Sequence, residues 1–329
     1  MKIGKIDNEM LERLVLGKTG APRDEVIVGP GIGEDCAVLD FGEYECVLST
    51  DPITAGAARV GTLAVHISCN DVASNGIEPL AIMLTVLLPP SATEEEVEEI
   101  ARQADEAAKS LDVQIIGGHT EVTDAVTQPL ISAVAVGKAP RRAEGQESGI
   151  EAGDLLVVTK KLALEGTALA AIKREKELRP YLTDEEFEYA KTRFDQISVV
   201  KEGVIAGRVG VKAMHDITEG GALGAVWEIC TRAGLGAEIE AVKLPFEEVT
   251  MTICAVLGLD PMRLISSGSM LICLSKKQWE TLKMELTKAG IEGSVIGCVR
   301  EKRDGITIVM KNGEREIVLP PGPDEIYGI

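Results

Sequence analysis

Five acidic residues of this sequence each follow an apolar, strand-like run, at the point where a turn rich in Gly, Asn or Thr begins. They are Asp35, Asp51, Asp71, Glu121 and Asp216. Because a sheet holds the backbone while the loops at strand ends stay accessible, we expect chemistry at such positions. Carboxylates that gather without matching Lys or Arg repel one another, and a divalent cation relieves that repulsion. Mg²⁺ takes oxygen ligands and binds together with the phosphates of a nucleotide. The pattern therefore predicts a site for Mg²⁺ and a nucleotide.

The first of these acids ends a glycine-rich loop, Gly-Pro-Gly-Ile-Gly-Glu-Asp at residues 29–35. Its glycines, Gly31 and Gly33 among them, let backbone amides approach a phosphate, and Asp35 could hold Mg²⁺. The loop is not a Walker A loop, since it lacks the Gly-Lys-Ser/Thr ending, and it is not a dinucleotide-binding fingerprint. A plain surface loop is the alternative interpretation.

Asp51 and the adjacent pair Asn70 and Asp71 offer further oxygen ligands. Either could instead cap the N-terminus of a helix, as Asp and Asn commonly do, and Pro52 directly after Asp51 fits that role. Asn70 and Asp71 fit it less well. They lie inside an Ala- and Val-rich helical stretch, where two adjacent polar side chains need partners.

A second glycine motif, Gly117-Gly118-His119-Thr120-Glu121, follows an apolar strand. The paired glycines expose the backbone, and the three side chains behind them offer ligand or proton-transfer atoms. A plain turn is the alternative.

The last motif, His215-Asp216-Ile-Thr218-Glu-Gly220-Gly221, precedes a helix. A helix N-terminus attracts anions through its free amides and its dipole, so we expect Asp216 to face a nucleotide there. The alternative is that Asp216 or Thr218 only caps the helix. His119 and His215 are candidates for proton transfer, because histidine titrates near neutral pH.

Composition limits the function further. The chain has 329 residues, enough for two domains, and a formal net charge of −19, which disfavours nucleic acid as a partner. No apolar run is long enough to span a membrane, and the N-terminus lacks the apolar segment of a signal peptide, so we expect a cytoplasmic protein. The seven cysteines are scattered singly, without a Cys-x-x-Cys pair, which argues against a zinc or iron–sulfur site.

Strand-like and helix-like segments alternate in both halves, without a strict βαβ rhythm. The fold class is therefore α/β, of the α+β type with mixed sheets. We place an N-terminal ATP- and Mg-binding domain at residues 1–140, a polar linker at 141–152 and a C-terminal α/β domain at 153–329. Thr93 and Glu96 form a capping-box pair that predicts the start of a helix.

Taken in order, the motifs resemble those of the aminoimidazole ribonucleotide (AIR) synthase superfamily, and the closest resemblance is to its HypE-like branch. They are Gly-Ile-Gly-Glu-Asp-Cys-Ala-Val-Leu, Ser-Thr-Asp, Asn-Asp-Val-Ala-Ser-Asn-Gly-Ile-Glu-Pro, Gly-Gly-His-Thr and His-Asp-Ile-Thr-Glu-Gly-Gly. Together they extend over nearly the whole chain.

The resemblance implies a homodimer in which strands of the two N-terminal domains form one barrel, with ATP in a cleft. It implies three ligands for Mg²⁺ and the phosphates: Asp35, Asp51 and Asp71. It also implies that Asn70 and the loop at residues 117–120 contact the nucleotide, and that Asp216 faces the same cleft.

The sequence departs from its relatives in two places. His119 stands where relatives have an acidic residue, so we expect Glu121 to serve as the metal ligand instead. HypE proteins end in a tail with a reactive cysteine, whereas this sequence ends Pro-Asp-Glu-Ile-Tyr-Gly-Ile and its last cysteine is Cys298.

The leading hypothesis is an ATP-binding, Mg-dependent enzyme that activates a substrate oxygen by phosphoryl transfer. The substrate is a small molecule or a protein. The alternative is a nucleotide-binding factor in hydrogenase maturation that acts through a partner protein without turnover of its own. A structural dimer whose acidic loops are only caps is a third interpretation.

Overall fold

The structure is a computed structural model that describes residues 6, 8–54, 59–141 and 149–328. A first short helix, α1 (Asn8–Leu11), continues into a π-helical turn at Glu12–Leu16. The chain divides into two compact units. The smaller unit comprises Ala21–Pro30 and Glu34–Ala143, and the larger unit comprises the remaining residues.

The smaller unit is built on a six-stranded sheet. Its strands are β1 (Val26–Val28), β2 (Ala37–Asp40), β3 (Tyr44–Ile53), β4 (Pro79–Leu88), β5 (Gln114–Val122) and β6 (Leu130–Pro140). They lie in the order β1-β2-β3-β6-β4-β5, and every neighbouring pair is antiparallel except β4 and β5, which are parallel. Two helices, α2 (Val60–Ser74) and α3 (Glu94–Ser110), follow β3 and β4.

The start of α3 confirms the predicted capping box. The Thr93 hydroxyl accepts a hydrogen bond from the Glu96 amide at 3.2 Å, and the Glu96 carboxylate accepts one from the Thr93 amide at 2.9 Å. Two otherwise unpaired helix-end amides are satisfied in this way. The apolar side chains of α3 at helical spacing, Ile100, Ala104 and Ala108, are buried.

Helix α2 is buried between the sheet and α3, because glycines let its backbone come close to both. A Cβ atom added at Gly61 of α2 would lie 2.4 Å from the Ile100 carbonyl oxygen of α3. One added at Gly137 of β6 would lie 2.6 Å from the side chain of Val72 on α2. The helix therefore covers one face of the sheet.

Strand register shows which side chains share that face. Gly137 pairs with Val47, and since side chains alternate along a strand, Ser49 and Asp51 also point towards α2. We call this the α2 face and the opposite side the open face. The open face carries the intervening side chains of the central strands: Thr50, Ser132, Val134, Met83 and Thr85.

The larger unit is built on a seven-stranded sheet. Its strands are β7 (Leu155–Thr159), β8 (Ala213–Ile217), β9 (Gly236–Glu240), β10 (Ser269–Leu274), β11 (Gly293–Arg300), β12 (Ile306–Val309) and β13 (Arg315–Ile317). They lie in the order β13-β12-β9-β11-β7-β10-β8, antiparallel except for β9 and β12. The helices are α4 (Leu164–Lys173), α5 (Glu175–Leu178), α6 (Asp184–Lys191), α7 (Val200–Val209), α8 (Gly221–Arg232), α9 (Glu248–Leu257) and α10 (Lys276–Lys288).

Both faces of this second sheet are buried. On one face, Leu156 of β7 and Leu271 of β10 pack in a core that includes Val226 of α8. On the other, the neighbouring residues of the same strands pack against side chains of α7 and α10. The near-continuous apolar runs of β7 and β10 follow from this double coverage.

The observed sheets are mixed in both units, which confirms the predicted fold class. Residues 142–148 of the predicted linker lie outside the described residues. No helix in the described part of the chain is long and apolar enough to cross a lipid bilayer.

The prediction that all five acids follow strand ends is wrong for four of them. Asp51 lies within β3, Asp71 within α2, Glu121 within β5 and Asp216 within β8. Strand β5 continues through its glycine pair because Gly117 and Gly118 adopt φ values of 153° and 146°, which glycine tolerates. A Cβ at Gly118 would lie 1.9 Å from a backbone oxygen of β4.

Candidate functional site

Asp71 is the centre of a buried group of polar side chains in the smaller unit. It lies in the interior of α2 and is 5% exposed. The Ser49 hydroxyl, on the α2 face of β3, donates a hydrogen bond to Asp71 Oδ2. Burial of a carboxylate is costly unless it is hydrogen-bonded, and this hydroxyl supplies one of those bonds.

The Ser74 hydroxyl connects Asp71 with the glycine-rich loop. It lies 2.6 Å from the Asp71 carbonyl oxygen and 3.3 Å from Asp35 Oδ2. The Cys36 thiol, next to Asp35 in sequence, donates to the same Asp71 carbonyl at 3.2 Å. These contacts hold the end of the loop beside the last turn of α2.

Asp51 lies on the same face of β3 as Ser49, two residues further along, which places the two backbones about 7 Å apart. We therefore group five residues as the acidic cluster: Asp35, Ser49, Asp51, Asp71 and Ser74. The cluster contains three of the four residues predicted to hold Mg²⁺, and the fourth, Glu121, lies outside it. It offers carboxylate and hydroxyl oxygens, the ligand atoms that Mg²⁺ prefers.

The Cys69 thiol, two residues before Asp71 on α2, does not compete for a metal. Burial and, to a smaller extent, the charge of Asp71 raise the pKa of Cys69 to about 12. Cys69 is therefore a neutral thiol at physiological pH and neither a nucleophile nor a soft-metal ligand. Asn70, its neighbour, is fully buried, so its predicted contact with a nucleotide stays a prediction.

The interpretation of Asp51, Asn70 and Asp71 as helix caps is wrong. Asp51 is a strand residue, and the N-cap of α2 is Arg59, more than two helical turns before the polar pair. Asp51 instead points from the sheet towards α2, and Asn70 and Asp71 lie in α2 itself, which covers that face of the sheet.

The motif on β5 lies away from the acidic cluster within this unit. Two strands, β6 and β4, separate β3 from β5, a distance of about 14 Å. Register places Gly118 and Thr120 on the α2 face, whereas Gly117, His119 and Glu121 belong to the open face. The smaller unit alone therefore does not bring Glu121 to the other predicted metal ligands.

His119 and Glu121 form an exposed pair on β5. His119 Nε2 lies 3.0 Å from Glu121 Oε2, and the side chains are 65% and 49% exposed. The pair is suited to holding or moving a proton, but its exposure means that solvent shares in that exchange.

His215 and Asp216 belong to β8 of the larger unit. His215 Nε2 lies 2.8 Å from Glu228 Oε2 on α8, and its Nδ1 lies 3.9 Å from Asp216 Oδ1. Asp216 is 2% exposed. A carboxylate on one ring nitrogen orients the imidazole, so the arrangement supports His215 as a proton-transfer group.

Residues 31–33 of the glycine-rich loop fall in the larger unit and pack on the same helix. The Arg232 guanidinium of α8 donates to the Gly33 carbonyl oxygen at 3.2 Å. Gly33 has a φ of 75° and a Cβ there would lie 3.6 Å from the Glu228 carbonyl oxygen. The glycine at this position thus permits both a left-handed turn and close packing on α8.

The N-terminus of α8 uses some of its amides inside the protein. The Gly221 amide donates to the Thr218 carbonyl oxygen, and the Leu223 amide donates to that of Met262, both at 3.2 Å. These bonds weaken the expectation that an anion binds here through free amides. The helix has no side-chain cap, so the alternative role of Asp216 or Thr218 as a cap is wrong.

The sequence analysis missed three polar partners: Ser49, Ser74 and Glu228. Ser49 alternates with Asp51 along one strand, and Ser74 is three residues after Asp71 on one helix, so each shares a face with a predicted residue. Those spacings were available in the sequence. The contact between Glu228 and His215 depends on how α8 packs on β8.

Comparison with known proteins agrees with this fold. Residues 33–139 match the AIR synthase related protein, N-terminal domain, and residues 151–310 match the AIR synthase related protein, C-terminal domain. The chain therefore belongs to the AIR synthase-related superfamily, on its HypE-like branch.

Two relatives illustrate the branch. The chain is 27% identical to a hydrogenase expression/formation protein of Methanocaldococcus jannaschii, over 97% of this chain and 95% of that protein. It is 25% identical to the carbamoyl dehydratase HypE of Escherichia coli, over 82% of this chain and 79% of that protein.

Solved structures share the fold. A HypE–HypF complex superposes with a TM-score of 0.73 at 24% identity, covering 88% of this chain and 94% of that chain. A structure of HypE in complex with ATP superposes with a TM-score of 0.69 at 17% identity, covering 98% of this chain and 97% of that chain. A structure of ThiL with AMPPCP and TMP superposes with a TM-score of 0.71 at 21% identity, covering 90% of this chain and 92% of that chain.

Proposed function

We propose that this protein binds ATP with Mg²⁺ and activates an oxygen atom of its substrate by phosphoryl transfer. The observation that carries the proposal is the acidic cluster, in which the Ser49 hydroxyl of β3 donates to the Asp71 carboxylate and the Ser74 hydroxyl of α2 lies 3.3 Å from Asp35 Oδ2. Membership of the AIR synthase-related superfamily supports it, as does the shared fold with HypE bound to ATP and with ThiL bound to AMPPCP.

Hydroxyl donors suit a metal site because they can rotate. The Ser49 and Ser74 hydroxyls satisfy the carboxylates when no cation is bound, and either can turn away or present its oxygen when one arrives. Asp35, Asp51 and Asp71 would hold Mg²⁺, which supplies charge neutralisation at the phosphates and alignment of the transferred phosphoryl group. Thiol ligands are excluded at Cys69 by its raised pKa.

The remaining predicted residues take nucleotide-binding and proton-transfer roles in this proposal. Backbone amides at Gly31, Gly33, Gly117 and Gly118 approach phosphates, while Asn70, Thr120 and Asp216 contact the nucleotide. His215 accepts a proton from the substrate group and is oriented by Glu228, 2.8 Å away. His119 and Glu121 form the second candidate pair for proton transfer, and Glu121 is a further candidate metal ligand.

We further propose that the protein is a homodimer paired through β5. This edge strand is exposed along all nine of its residues, and it offers unpaired backbone groups to another strand. Ile116 and Val122 of β5 are 55% and 64% exposed, and Met83 of β4 adds to the apolar surface at 44%. Pairing with a second copy would cover these side chains and extend the sheets into the barrel that the family resemblance implies.

The dimer is tested by sedimentation of the wild type and of Val122→Lys. We expect the wild type to sediment as a dimer and the variant to shift towards monomer. Lys is a common protector of exposed strand edges, so it disfavours pairing without disturbing the fold of the unit. A monomeric wild type would contradict the proposal.

Binding of ATP is tested by calorimetric titration with and without Mg²⁺. We expect binding that requires Mg²⁺ and that falls about 100-fold, or close to 3 kcal/mol, in Asp71→Asn. Asp105→Asn is the matched control, because Asp105 is an exposed carboxylate paired with Lys109 on α3. Undiminished binding by Asp71→Asn would contradict the assignment of the site.

A second candidate function is a maturation factor that binds nucleotide and acts through a partner protein. The similarity to a hydrogenase expression/formation protein and to the HypE–HypF complex favours it. Release of ADP by the purified protein alone separates the two candidates. Turnover without a partner supports the enzyme, and ATP binding with no ADP release under any substrate condition supports the maturation factor.

A further inference from the structure

The C-terminal segment, residues 320–328, is attached to the larger unit by one buried carboxylate. Asp324 is 3% exposed and accepts three backbone hydrogen bonds. Its Oδ2 atom accepts from the Gly220 amide at 2.7 Å, and its Oδ1 atom accepts from the amides of Ile265 and Ile326 at 3.1 and 2.8 Å.

Each of these amides belongs to a different part of the unit. Gly220 is the left-handed N-cap of α8 and lies four residues after Asp216. Ile265 lies in the loop before β10, and its carbonyl oxygen accepts from the Gly166 amide of α4. Ile326 lies in the C-terminal segment itself. One carboxylate thus joins the turn after β8, the loop before β10 and the end of the chain.

Other contacts of the segment reach the same turn. The Tyr327 hydroxyl donates to Glu219 Oε1 at 3.0 Å. A Cβ at Gly220 would lie 3.1 Å from Pro321 Cβ, so the segment packs directly on the N-cap of α8. The position of this N-cap in turn sets where Glu228 of α8 meets His215.

A second buried acid lies beside Asp324. Glu165, in the first turn of α4, is 5% exposed, and its Oε2 atom has no hydrogen-bond partner among the described residues. Burial raises the pKa of Glu165 to about 7. The Ser267 hydroxyl opposes this by favouring the charged form, and the charges of Asp324 and Glu219 add to the increase. The Arg263 guanidinium, on the loop before β10, donates a hydrogen bond to the Leu319 carbonyl oxygen.

The two acids differ in the pH at which they lose their proton. Burial raises the pKa of Asp324 to about 6, although its three amide donors oppose the change. Burial raises the pKa of both acids and that of Glu165 further, so Glu165 keeps its proton to a higher pH than Asp324 does. Above pH 7 both carry charge and repel one another.

We propose that Asp324 is a positioning residue for the turn between Asp216 and α8, and that the buried Glu165 modulates this role. The proposal rests on the proposed function, since the turn it positions is the one assigned to nucleotide contact. Asp324 acts through the backbone of Gly220 and not on the substrate itself. The hydrogen bond from the Gly220 amide to Asp324 weakens as Glu165 ionises.

Hydrogen exchange of the unliganded protein tests the proposal without any nucleotide. We expect protection factors of the peptides over residues 218–224 and 262–268 to fall about tenfold in Asp324→Asn, since an amide group cannot accept from all three donors. Peptides of α2 in the smaller unit should keep their protection. Asp304→Asn, an exposed acid in a turn of the same unit, is the matched control.

Glu165→Gln supplies the second variant and a pH profile. In the wild type we expect the same two peptides to lose protection, corrected for intrinsic exchange, as pH rises from 6 to 8. Glu165→Gln should keep protection constant over that range, because it stays neutral. The pH profiles of the wild type and Glu165→Gln remain informative if Asp324→Asn fails to fold.

The KM for ATP completes the test. Asp324→Asn should raise KM about tenfold with a smaller change in kcat, because a displaced turn weakens binding before it affects the transferred group. Unchanged protection at residues 218–224 in Asp324→Asn, or a pH-independent wild type, would overturn the proposal. A wild type that binds no ATP contradicts the proposed function while leaving the exchange result valid.

Discussion

The two units each bury a carboxylate, but they satisfy it with different donors. Asp71 in the smaller unit accepts from the Ser49 hydroxyl, whereas Asp324 in the larger unit accepts from three backbone amides. A hydroxyl can rotate and give up its bond to a cation. A backbone amide is fixed by the fold and cannot. The comparison indicates that the first carboxylate is available to a ligand and the second is committed to holding the chain.

The largest expected effect is at Asp71. Asp71→Asn should reduce the affinity for Mg-ATP about 100-fold while changing the midpoint of thermal unfolding little, because the amide can still bond to Ser49. Calorimetry and thermal unfolding of the same sample measure both quantities. A variant that loses stability but keeps its affinity would reverse the comparison.

Asp324→Asn should show the opposite balance. We expect the free energy of unfolding to fall by about 2 kcal/mol, since at least one buried amide is left facing an NH₂ group. Urea unfolding followed by circular dichroism measures this. An equal loss in Asp304→Asn would show that the effect belongs to surface charge and not to the buried bonds.

Ser49→Ala sharpens the comparison at the hydroxyl donor. A residue that orients a metal ligand typically contributes tenfold or more to metal affinity, so we expect Mg-ATP to bind about tenfold more weakly. Ser132→Ala is the control, because Ser132 lies on the open face of the same sheet, where its hydroxyl lies 3.5 Å from that of Thr50. Equal affinities in both variants would count against the assigned role of Ser49.

The last prediction concerns pH and the two buried acids of the larger unit. The pKa of Glu165 is raised from 4.5 to about 7 and that of Asp324 from 3.8 to about 6, so the folded protein binds more protons than the unfolded chain between these values. The free energy of unfolding should therefore fall as pH rises from 4 to 7, with each acid contributing a slope of at most about 1.4 kcal/mol per pH unit. Glu165→Gln should flatten this slope, and a slope of the opposite sign would contradict the burial of neutral acids.

The sequence predicted local elements well where one segment carries the whole signal. The capping box at Thr93 and Glu96 predicted the start of α3, and the helix begins there. Such features depend on neighbours in sequence, so no tertiary information is needed.

Prediction from sequence was weaker where one face of an element had to be chosen. Asp71 and Glu121 follow similar motifs, yet one is buried in α2 and the other is exposed on an edge strand. Their separation depends on strand order, which placed β4 and β6 between β3 and β5. Asp324 was missed because its partners lie 59 and 104 residues away in sequence.

The central claim is that the carboxylates held by hydroxyls form a site for Mg²⁺ and ATP. Its most direct test is calorimetric titration of the wild type and Asp71→Asn with ATP, each in the presence and absence of Mg²⁺. The account predicts binding by the wild type only when Mg²⁺ is present, and loss of that binding in a variant that remains folded. Binding that needs no Mg²⁺, or that survives unchanged in Asp71→Asn, would contradict it.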